Sequence, residues 1–388
     1  MNIINECYNK SIELLFNNSS QYGFLASAPQ KRAVERNYLS IFARDSSICT
    51  LGAVASGNKK LILSAKKSLK TLAKFQVHDG EIPNYVKPEK KYADFWRLGS
   101  IDATLWWLIA VDFYDKNTND KNLKKSLNKK IKNAVNWLYC QENENDGILI
   151  QTEASDWADL MPRNGKVLYT NALWYKIKKD YNLLAMRKTK KDFNLLFYAY
   201  NNKTKNLPKS DKATIEMILK RKKKGEFYLS FVGYLYYGKD IDVYGNSLAL
   251  LFGLPTRELK NKIIKYLLGK KRLKNLPMPV LFNPIKENSR EWRKYMESHK
   301  QNYPYQYHNG GIWPFASTFW AMALAFSGQK QEAKKELEKI AYANSLNNWE
   351  FNEWFHAKTG KARGMKWQSW NAGAFLLAWH YLEGEIKL

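Results

Sequence analysis

The sequence of 388 residues has little cysteine: only Cys7, Cys49 and Cys140 occur. An odd number of cysteines without paired metal-ligand spacing argues against both a disulfide framework and a Cys/His zinc site. We therefore expect three free, mostly buried thiols in a reducing compartment. No metal site and no cofactor are predicted.

Long hydrophobic runs are also missing. No stretch reaches ~18 uncharged apolar residues, and the opening MNIINECYNKSIELLF lacks the basic start and apolar block of a secretory signal. These absences predict a cytoplasmic protein with no membrane span. Hydrophobic residues make up 45% of the chain and aromatic residues 14%, which is too much for a disordered chain.

Acidic residues are scarce beside basic ones, with 36 Asp and Glu against 63 Lys and Arg and a formal net charge of +27. A charge of this size attracts polyanions. However, the lysines are spread over polar helix faces, for example in 59–70, 121–132 and 219–224, and no nucleic-acid-binding signature accompanies them. The pattern favours a solvated surface over a specific nucleic-acid partner.

Apolar residues recur at steps of three and four along most of the chain, which predicts about a dozen helices. Some, such as ATLWWLIAVDFY, are apolar on most faces, whereas the lysine-rich ones have a single apolar stripe. Alternation of these two types predicts two layers, as in an all-α (α/α)6 barrel formed by residues 1–388 as a single domain. The predicted helices are 3–16, 33–56, 59–75, 101–115, 121–141, 166–179, 181–200, 243–253, 256–268, 312–327, 329–342 and 367–382.

One strand signal and four long loops interrupt this pattern. The run GEFYLSFVGYLYYG predicts a small β-hairpin insertion at 225–238, outside the helical rings. The loops 76–98, 143–165, 270–311 and 344–366 each precede a helix of the more apolar type. Because loops of this length are usually functional, we expect all four to open at the same end of the barrel.

Catalytic motifs built on phosphate loops, serine elbows or zinc-binding histidines are absent, so any chemistry must rest on carboxylates. Acids with aromatic neighbours occur in FARDSS, GSIDATLWW, SDWADLMPR and WEFNEWFHAKTG, a combination that suits a sugar site. Other interpretations stay open at this point. Asp102, or Ser100 just before it, could cap the helix that begins near Ala103, and Arg44 with Asp45 could form a buried ion pair.

Five blocks in order carry a family resemblance: FARDSS, GSIDATLWW, YTNALWY, HNGGIWP and NEWFHAKTG with QSWNAGAFL. From about residue 36 to 384 the chain resembles inverting (α/α)6 glycosidases, both the amylo-α-1,6-glucosidase domain of glycogen debranching enzymes and the neutral/alkaline invertases. The resemblance implies that Asp102 is the general acid and Glu353 the catalytic base. Two departures are Phe351-Asn352-Glu353, where invertases tend to have Trp-Pro-Glu, and His356, where both families usually have Asp.

The chemistry of such a pair sets further expectations. Burial of Asp102 beside Trp96, Trp106 and Trp107 would raise its pKa, while Glu353 in a wetter loop would stay ionised, with ~6.5–9.5 Å between the carboxyls. Asp159 is the substitute acid. The pocket is expected to be lined by Arg44, Asp45, Trp96, Trp106, Asp156, Trp157, Asp159, Asn171, Tyr244, His308, Asn309, Trp313 and Gln368.

The sequence thus predicts an inverting glycoside hydrolase that acts on a small carbohydrate: sucrose, an α-1,6-linked glucosyl stub or a small glucosylated solute. One alternative is a sugar epimerase or phosphorolytic enzyme on the same barrel, although the histidines lie in unlike contexts. Another is a non-catalytic protein that binds sugars or polyanions. The presence of both Asp102 and Glu353 disfavours this last alternative.

Overall fold

A computed structural model describes residues 2–96, 99–142, 146–201, 209–221, 224–233 and 236–388. Within these residues the chain forms fifteen α-helices and nine short strands. The helices are α1 (Ile3–Asn17), α2 (Lys31–Glu35), α3 (Ala43–Ala55), α4 (Lys59–Lys74), α5 (Ile101–Asn117), α6 (Asn122–Ser126), α7 (Asn128–Tyr139), α8 (Leu168–Asp180), α9 (Met186–Phe197), α10 (Lys209–Arg221), α11 (Val243–Leu251), α12 (Arg257–Leu268), α13 (Pro314–Phe326), α14 (Lys330–Trp349) and α15 (Ser369–Leu382).

The strands are two or three residues long and belong to the loops. They pair antiparallel as β1–β2, β3–β4–β5, β6–β7 and β8–β9. Their bounds are β1 (Ser19–Ser20), β2 (Gly23–Phe24), β3 (Ile41–Phe42), β4 (Tyr85–Lys87), β5 (Tyr92–Asp94), β6 (Lys166–Val167), β7 (Phe231–Val232), β8 (Trp354–Phe355) and β9 (Ala362–Arg363).

Six helices form a closed inner ring, in which α3, α5, α8, α11, α13 and α15 each contact the next and α15 contacts α3. They are buried on every face; in α5, for example, all residues from Ile101 to Tyr114 are buried. The outer helices bury one stripe, as α4 does with Leu61, Ala65, Leu69 and Leu72. The predicted (α/α)6 barrel is confirmed, because helices that are apolar all round can only lie inside a second layer.

Two glycines close the ring where its first and last helices cross. A Cβ added at Gly52 of α3 would lie 2.0 Å from the carbonyl oxygen of Gly373 in α15. A Cβ added at Gly373 would lie 2.5 Å from the Cα of Cys49. The two backbones therefore touch, and any side chain at either position would force α3 and α15 apart.

Local structure differs from the sequence prediction in several places. The predicted helix 33–56 is two helices, because Ile41 and Phe42 pair with β4 and the chain must turn between them. The predicted helix 121–141 is likewise divided at Leu127 into α6 and α7. Helix α10 was not predicted at all.

The predicted hairpin at 225–238 is smaller than the sequence indicated. Only β7 is a strand, and it pairs with β6, directly before the inner helix α8. Val232 also forms a bridge with Tyr237, so the chain does turn back on itself here. Residues 234–235 of this segment lie outside the described part of the chain.

Surface features follow the sequence in part. The first two lysine runs lie on the outer-layer helices α4, α6 and α7, whereas the third starts in α10 and continues beyond the described residues. Cys7 and Cys49 are buried free thiols, but Cys140 is exposed. Across the described ranges, no helix is long and apolar enough to cross a bilayer.

Candidate active site

The second residue of every inner helix lies at the same end of the barrel. Contacts run from one to the next: an Arg44–Asp102 ion pair, an Asp102–Tyr169 hydrogen bond, and then ring contacts. The inner helices are therefore parallel, and their N-termini, with their partial positive charge, surround one site. The six residues are Arg44, Asp102, Tyr169, Tyr244, Phe315 and Trp370.

Asp102 is completely buried in this ring. Its Oδ2 lies 3.4 Å from Nε of Arg44 and accepts a hydrogen bond of 2.8 Å from the Tyr169 hydroxyl. Ser100 donates to Oδ1 at 3.3 Å. Burial raises the pKa of Asp102, while Arg44 and the Tyr169 hydrogen bond act in the opposite direction. Ser100 holds the N-cap position of α5, without a side-chain capping hydrogen bond, so of the two expected caps it is Ser100 and not Asp102 that lies there.

The tryptophans near Asp102 in sequence contribute less than expected. Trp106 donates to the Tyr169 hydroxyl at 2.7 Å and so acts on Asp102 through that residue. Trp107 points outward and donates to the Leu69 carbonyl at 3.1 Å, while Trp96 is 39% exposed. The expected burial against Trp96 and Trp107 is therefore wrong, and the surrounding ring residues bury Asp102 instead.

Glu353 lies just before β8 and is held by both of its carboxyl oxygens. Tyr38 donates to Oε1 at 2.6 Å, and the Met365 backbone N–H donates to Oε2 at 2.8 Å. Gly364 passes so close that a Cβ there would lie 2.3 Å from Oε2, so only glycine fits. The expectation of a wet loop is wrong: Glu353 is buried, and burial raises its pKa against the opposing effect of Tyr38.

Two further carboxyls lie in the same electrostatic environment. Burial raises the pKa of Asp45 to about 7, with Arg44 opposing and Glu353 and Asp102 adding to the rise. The pKa of Asp159 is raised to about 7 by burial, again against Arg44 and with contributions from Glu353 and Asp102. Burial and neighbouring like charges therefore both favour the protonated forms of these carboxyls.

Many buried polar atoms around these carboxyls have no hydrogen-bond partner among the described residues. Buried polar groups are normally paired, so this cluster indicates a site for a ligand with many hydroxyls. Asp159 also exposes 32% of its side chain, which leaves it accessible from the open side. The unpartnered atoms are Arg44 Nη1, Trp157 Nε1, Asp159 Oδ1, Tyr244 Oη, His308 Nδ1, Trp354 Nε1, Gln368 Nε2 and Oε1, and Trp370 Nε1.

His308 is a neutral hydrogen-bonding group in this site. Burial lowers its pKa well below the usual value, and Arg163 and Arg44 lower it further. Its ring stacks on Trp313 at 5.0 Å between centroids, and its Nδ1 lies 3.6 Å from Asp159 Oδ1. In the part of the chain that the structure describes, no three His, Cys, Asp or Glu residues form a group suited to a metal ion.

Four of the predicted pocket residues hold the scaffold instead. Asn171 exchanges hydrogen bonds with the Leu149 backbone, and Asn309 does the same with Ile285. The other two are Asp156, which pairs with Arg163 and Gln151, and Trp313, which donates to the Tyr307 carbonyl and supports His308 from behind. Their polar groups are engaged by the protein, so we propose a structural role for these four side chains.

Asn171→Ala should test this role. Because it removes three buried hydrogen bonds, we expect the free energy of unfolding to fall by ~2–4 kcal/mol, with an unchanged KM in the protein that folds. The contrasting variant is Gln368→Ala, whose side-chain polar atoms have no partner; it should raise KM and change stability little. Denaturant unfolding measures the stability of both variants, and steady-state kinetics measure their KM. A raised KM in Asn171→Ala would show that Asn171 does bind the sugar.

Sequence reasoning missed four residues that face this site: Tyr38, Tyr169, Trp354 and Trp370. Three of them stand inside the quoted blocks YTNALWY, NEWF and QSWNAGAFL, beside residues that were selected. Tyr169 and Trp370 are the second residues of α8 and α15, but the predicted starts of these helices, 166 and 367, lie two residues too early to identify them. No local signal marks Tyr38, which reaches Glu353 across 315 positions of sequence.

The fold and the arrangement of the site define the class: an (α/α)6 barrel of the kind found in glycosidases. The GH63 mannosylglycerate hydrolase from Thermus thermophilus, solved in complex with glucose, superimposes with a TM-score of 0.68 at 15% identity. The alignment covers 96% of this chain and 99% of that one. At this identity the similarity establishes the shared fold.

Within that class, residues 231–384 match the alkaline and neutral invertase family. Alkaline/neutral invertase C from Arabidopsis thaliana is 23% identical over 358 residues, which is 81% of this chain and 53% of the relative. Probable alkaline/neutral invertase D from the same plant is 30% identical over 149 residues, 37% of this chain and 27% of the relative. The predicted resemblance to the invertases is confirmed, and the chain spans about half the length of invertase C.

Proposed function

We propose that this protein is an inverting glycoside hydrolase that acts on a short α-glucoside. One observation carries the proposal: two buried carboxyls, Asp102 and Glu353, share an electrostatic environment with a cluster of unpartnered polar atoms. The two carboxyls are held by different partners and so suit different roles. Relatives named as invertases and a structural neighbour named as a GH63 mannosylglycerate hydrolase support this reaction class.

Asp102 is proposed as the general acid. Complete burial favours its protonated form, and this form would donate to the glycosidic oxygen as the bond to the anomeric carbon breaks. Once the proton has left, Arg44 and the Tyr169 hydroxyl stabilise the new carboxylate. The same two contacts therefore oppose protonation before the reaction and favour proton release during it.

Glu353 is proposed as the base that activates water. Each of its carboxyl oxygens accepts one hydrogen bond, so each keeps a lone pair for a water molecule. In the proposed mechanism the water attacks the anomeric carbon from the face opposite Asp102, which requires ~6.5–9.5 Å between the carboxyls and inverts the configuration. Asp159, His308 and Gln368 would bind the hydroxyls of the glucosyl unit. No cofactor is needed.

A product assay tests the proposal against its alternatives. Purified protein is incubated with sucrose, isomaltose, panose, trehalose and glucosylglycerate, and the first anomer released is identified by NMR. We expect β-glucose to appear first, at the same rate with and without phosphate. A requirement for phosphate would indicate a phosphorolytic enzyme. Isomerisation without cleavage would indicate an epimerase, and binding without turnover would indicate a non-catalytic sugar-binding protein.

The proposed location is the cytoplasm, with no specific nucleic-acid partner.

Tyr38→Phe should change the pH dependence of catalysis. The variant loses the hydrogen bond to Glu353 Oε1, which helps keep the pKa of Glu353 down. Because the base must be deprotonated, the acidic limb of the kcat/KM profile should move to higher pH, with a loss of ~10-fold on that limb and less above it. The matched control is Tyr181→Phe, which removes a buried hydroxyl bonded to Leu108. Identical profiles in wild type and Tyr38→Phe would refute this positioning role.

A further inference from the structure

A cavity of about 350 Å³ lies beside the carboxyl site and shares two of its walls. Trp157 and His308 line the cavity, and both also carry unpartnered atoms of the site. Asp102 and Glu353 do not line it. The cavity therefore adjoins the place proposed for the glucosyl unit, and a group attached to that unit can extend into it.

The walls of the cavity are mostly apolar. The apolar residues come from the loop after Trp157, from Met217 of α10, from the region around β7 and from residues 280–285. The apolar residues that matter most here are Met161, Phe231, Tyr236, Val280, Leu281 and Ile285. Such walls favour an apolar occupant, since a second sugar would need a polar partner for most of its hydroxyls.

The charged groups at the edge of the cavity are largely neutralised by one another. The guanidinium of Arg290 also lies over the ring of Tyr236, 5.4 Å from its centroid. Lys286 also lines the cavity and, like Arg290, has no ion pair among the described residues, so an anionic group would find at most these two cations at the edge. The ion pairs are Lys239–Glu291 (2.7 Å), Arg163–Asp242 (2.8 Å) and Arg293–Glu153 (3.2 Å).

Two buried donors indicate where an oxygen of the occupant would lie. Trp157 is 4% exposed and Arg163 is 7% exposed, and both line the cavity. Trp157 Nε1 and Arg163 Nε have no hydrogen-bond partner among the described residues. Both atoms can only donate, so they call for an acceptor oxygen of the bound glucoside.

We infer that the cavity binds the aglycone of the substrate, and that this aglycone is a bulky apolar alcohol with an aromatic ring. This inference rests on the proposed hydrolase function and narrows its substrate class. An α-glucoside of an arylalkyl alcohol would place its glucosyl unit among the carboxyls and its ring against Phe231 and Leu281. A hydroxyl of the glucosyl unit next to the cavity would accept from the Trp157 and Arg163 donors, and the linking oxygen would stay within reach of Asp102.

The substrate test compares ethyl and 2-phenylethyl α-D-glucopyranoside. Both release an alkyl alcohol of similar basicity, so the difference in kcat/KM reports contacts of the ring. We expect the phenylethyl compound to be better by at least ~10-fold. Equal values, or a clear preference for sucrose or isomaltose over the phenylethyl compound, would overturn the inference.

Two cavity-filling variants identify where the preference arises. Leu281→Trp fills the cavity from the loop, and Met217→Trp fills it from α10, so one can replace the other if either fails to fold. In both variants the ratio of phenylethyl to ethyl activity should fall to about one tenth or less of the wild-type ratio. Leu63→Trp, at a position 54% exposed on α4, should keep the wild-type ratio. A preference that survives both filling variants contradicts the proposed cavity.

Saturation-transfer NMR separates this inference from the proposed function. Saturation of the aromatic protons of the phenylethyl compound by wild-type protein, reduced in Leu281→Trp, would support the cavity even if no glucoside were cleaved. In that case the hydrolase proposal alone would fail. Hydrolysis of ethyl glucoside without saturation of the aromatic protons would support the hydrolase proposal and contradict the aglycone cavity.

Discussion

Asp102→Asn is expected to lower kcat for alkyl and sugar glucosides by ~10²–10⁴-fold, because an amide cannot supply the proton that the leaving oxygen needs. The substitution keeps the size of the side chain, so the ring formed with Arg44 and Tyr169 should persist. A dinitrophenyl glucoside needs little protonation and should recover much of the lost rate. Steady-state kinetics on both substrates measure the effect.

Asp112→Asn is the matched control for this result. Asp112 lies on the same helix α5 and is buried, but its ion pairs are with Lys116 and Lys124. This control should lose stability and retain kcat. If Asp102→Asn turned over alkyl glucosides at close to the wild-type rate, the acid would have to be another carboxyl, with Asp159 the first to test.

Glu353→Gln is expected to cause a loss of similar size, ~10²–10⁴-fold in kcat, on every substrate, including those with good leaving groups. Glu353→Gln cannot activate water, and a leaving group that needs no protonation does not replace that function. Azide, a small anionic nucleophile, should restore part of the rate by replacing that water and should give a glucosyl azide. Kinetics with and without azide, with product analysis, test this expectation.

The matched control here is Glu336→Gln. Glu336 is also buried, but it pairs with Arg272 and accepts from the Met278 backbone, on α14. It should change stability and leave kcat unchanged. Rescue of Glu353→Gln by a good leaving group, or carboxyls more than ~10 Å apart in a ligand-bound structure, would show that Asp102 and Glu353 are not the catalytic pair.

The sequence predicts the barrel well because the signal for it is local. A helix such as ATLWWLIAVDFY, apolar on all faces, must be an inner helix wherever its neighbours lie. The resemblance then selects Asp102 and Glu353 from motif blocks. What cannot be predicted is the direction of each polar side chain in the site. Asn171 and Tyr169 stand two positions apart in one block, yet one holds a loop backbone and the other bonds Asp102.

The burial of Glu353, the proposed base, was also not predicted from the sequence. A loop position suggests solvent, but Glu353 is enclosed by a backbone segment that approaches only because residue 364 is glycine. Its partner Tyr38 comes from a distant part of the chain. Contacts of this kind form only when the ring closes, and no periodic pattern in the sequence predicts them. The adjoining cavity likewise depends on segments far apart in the sequence that meet only in the folded protein.

The glycine contact between α3 and α15 constrains how the protein is made. A ribosome completes α3 at residue 55 and reaches α15 only at residue 369, so a nascent chain carries inner helices with no partner to close them. Synthesis at ~5–20 residues per second leaves these apolar helices unprotected for tens of seconds. The long delay before closure invites aggregation, and chaperone binding during translation would shorten the exposure. The active site, which draws one residue from each inner helix, can be assembled only once α15 has emerged.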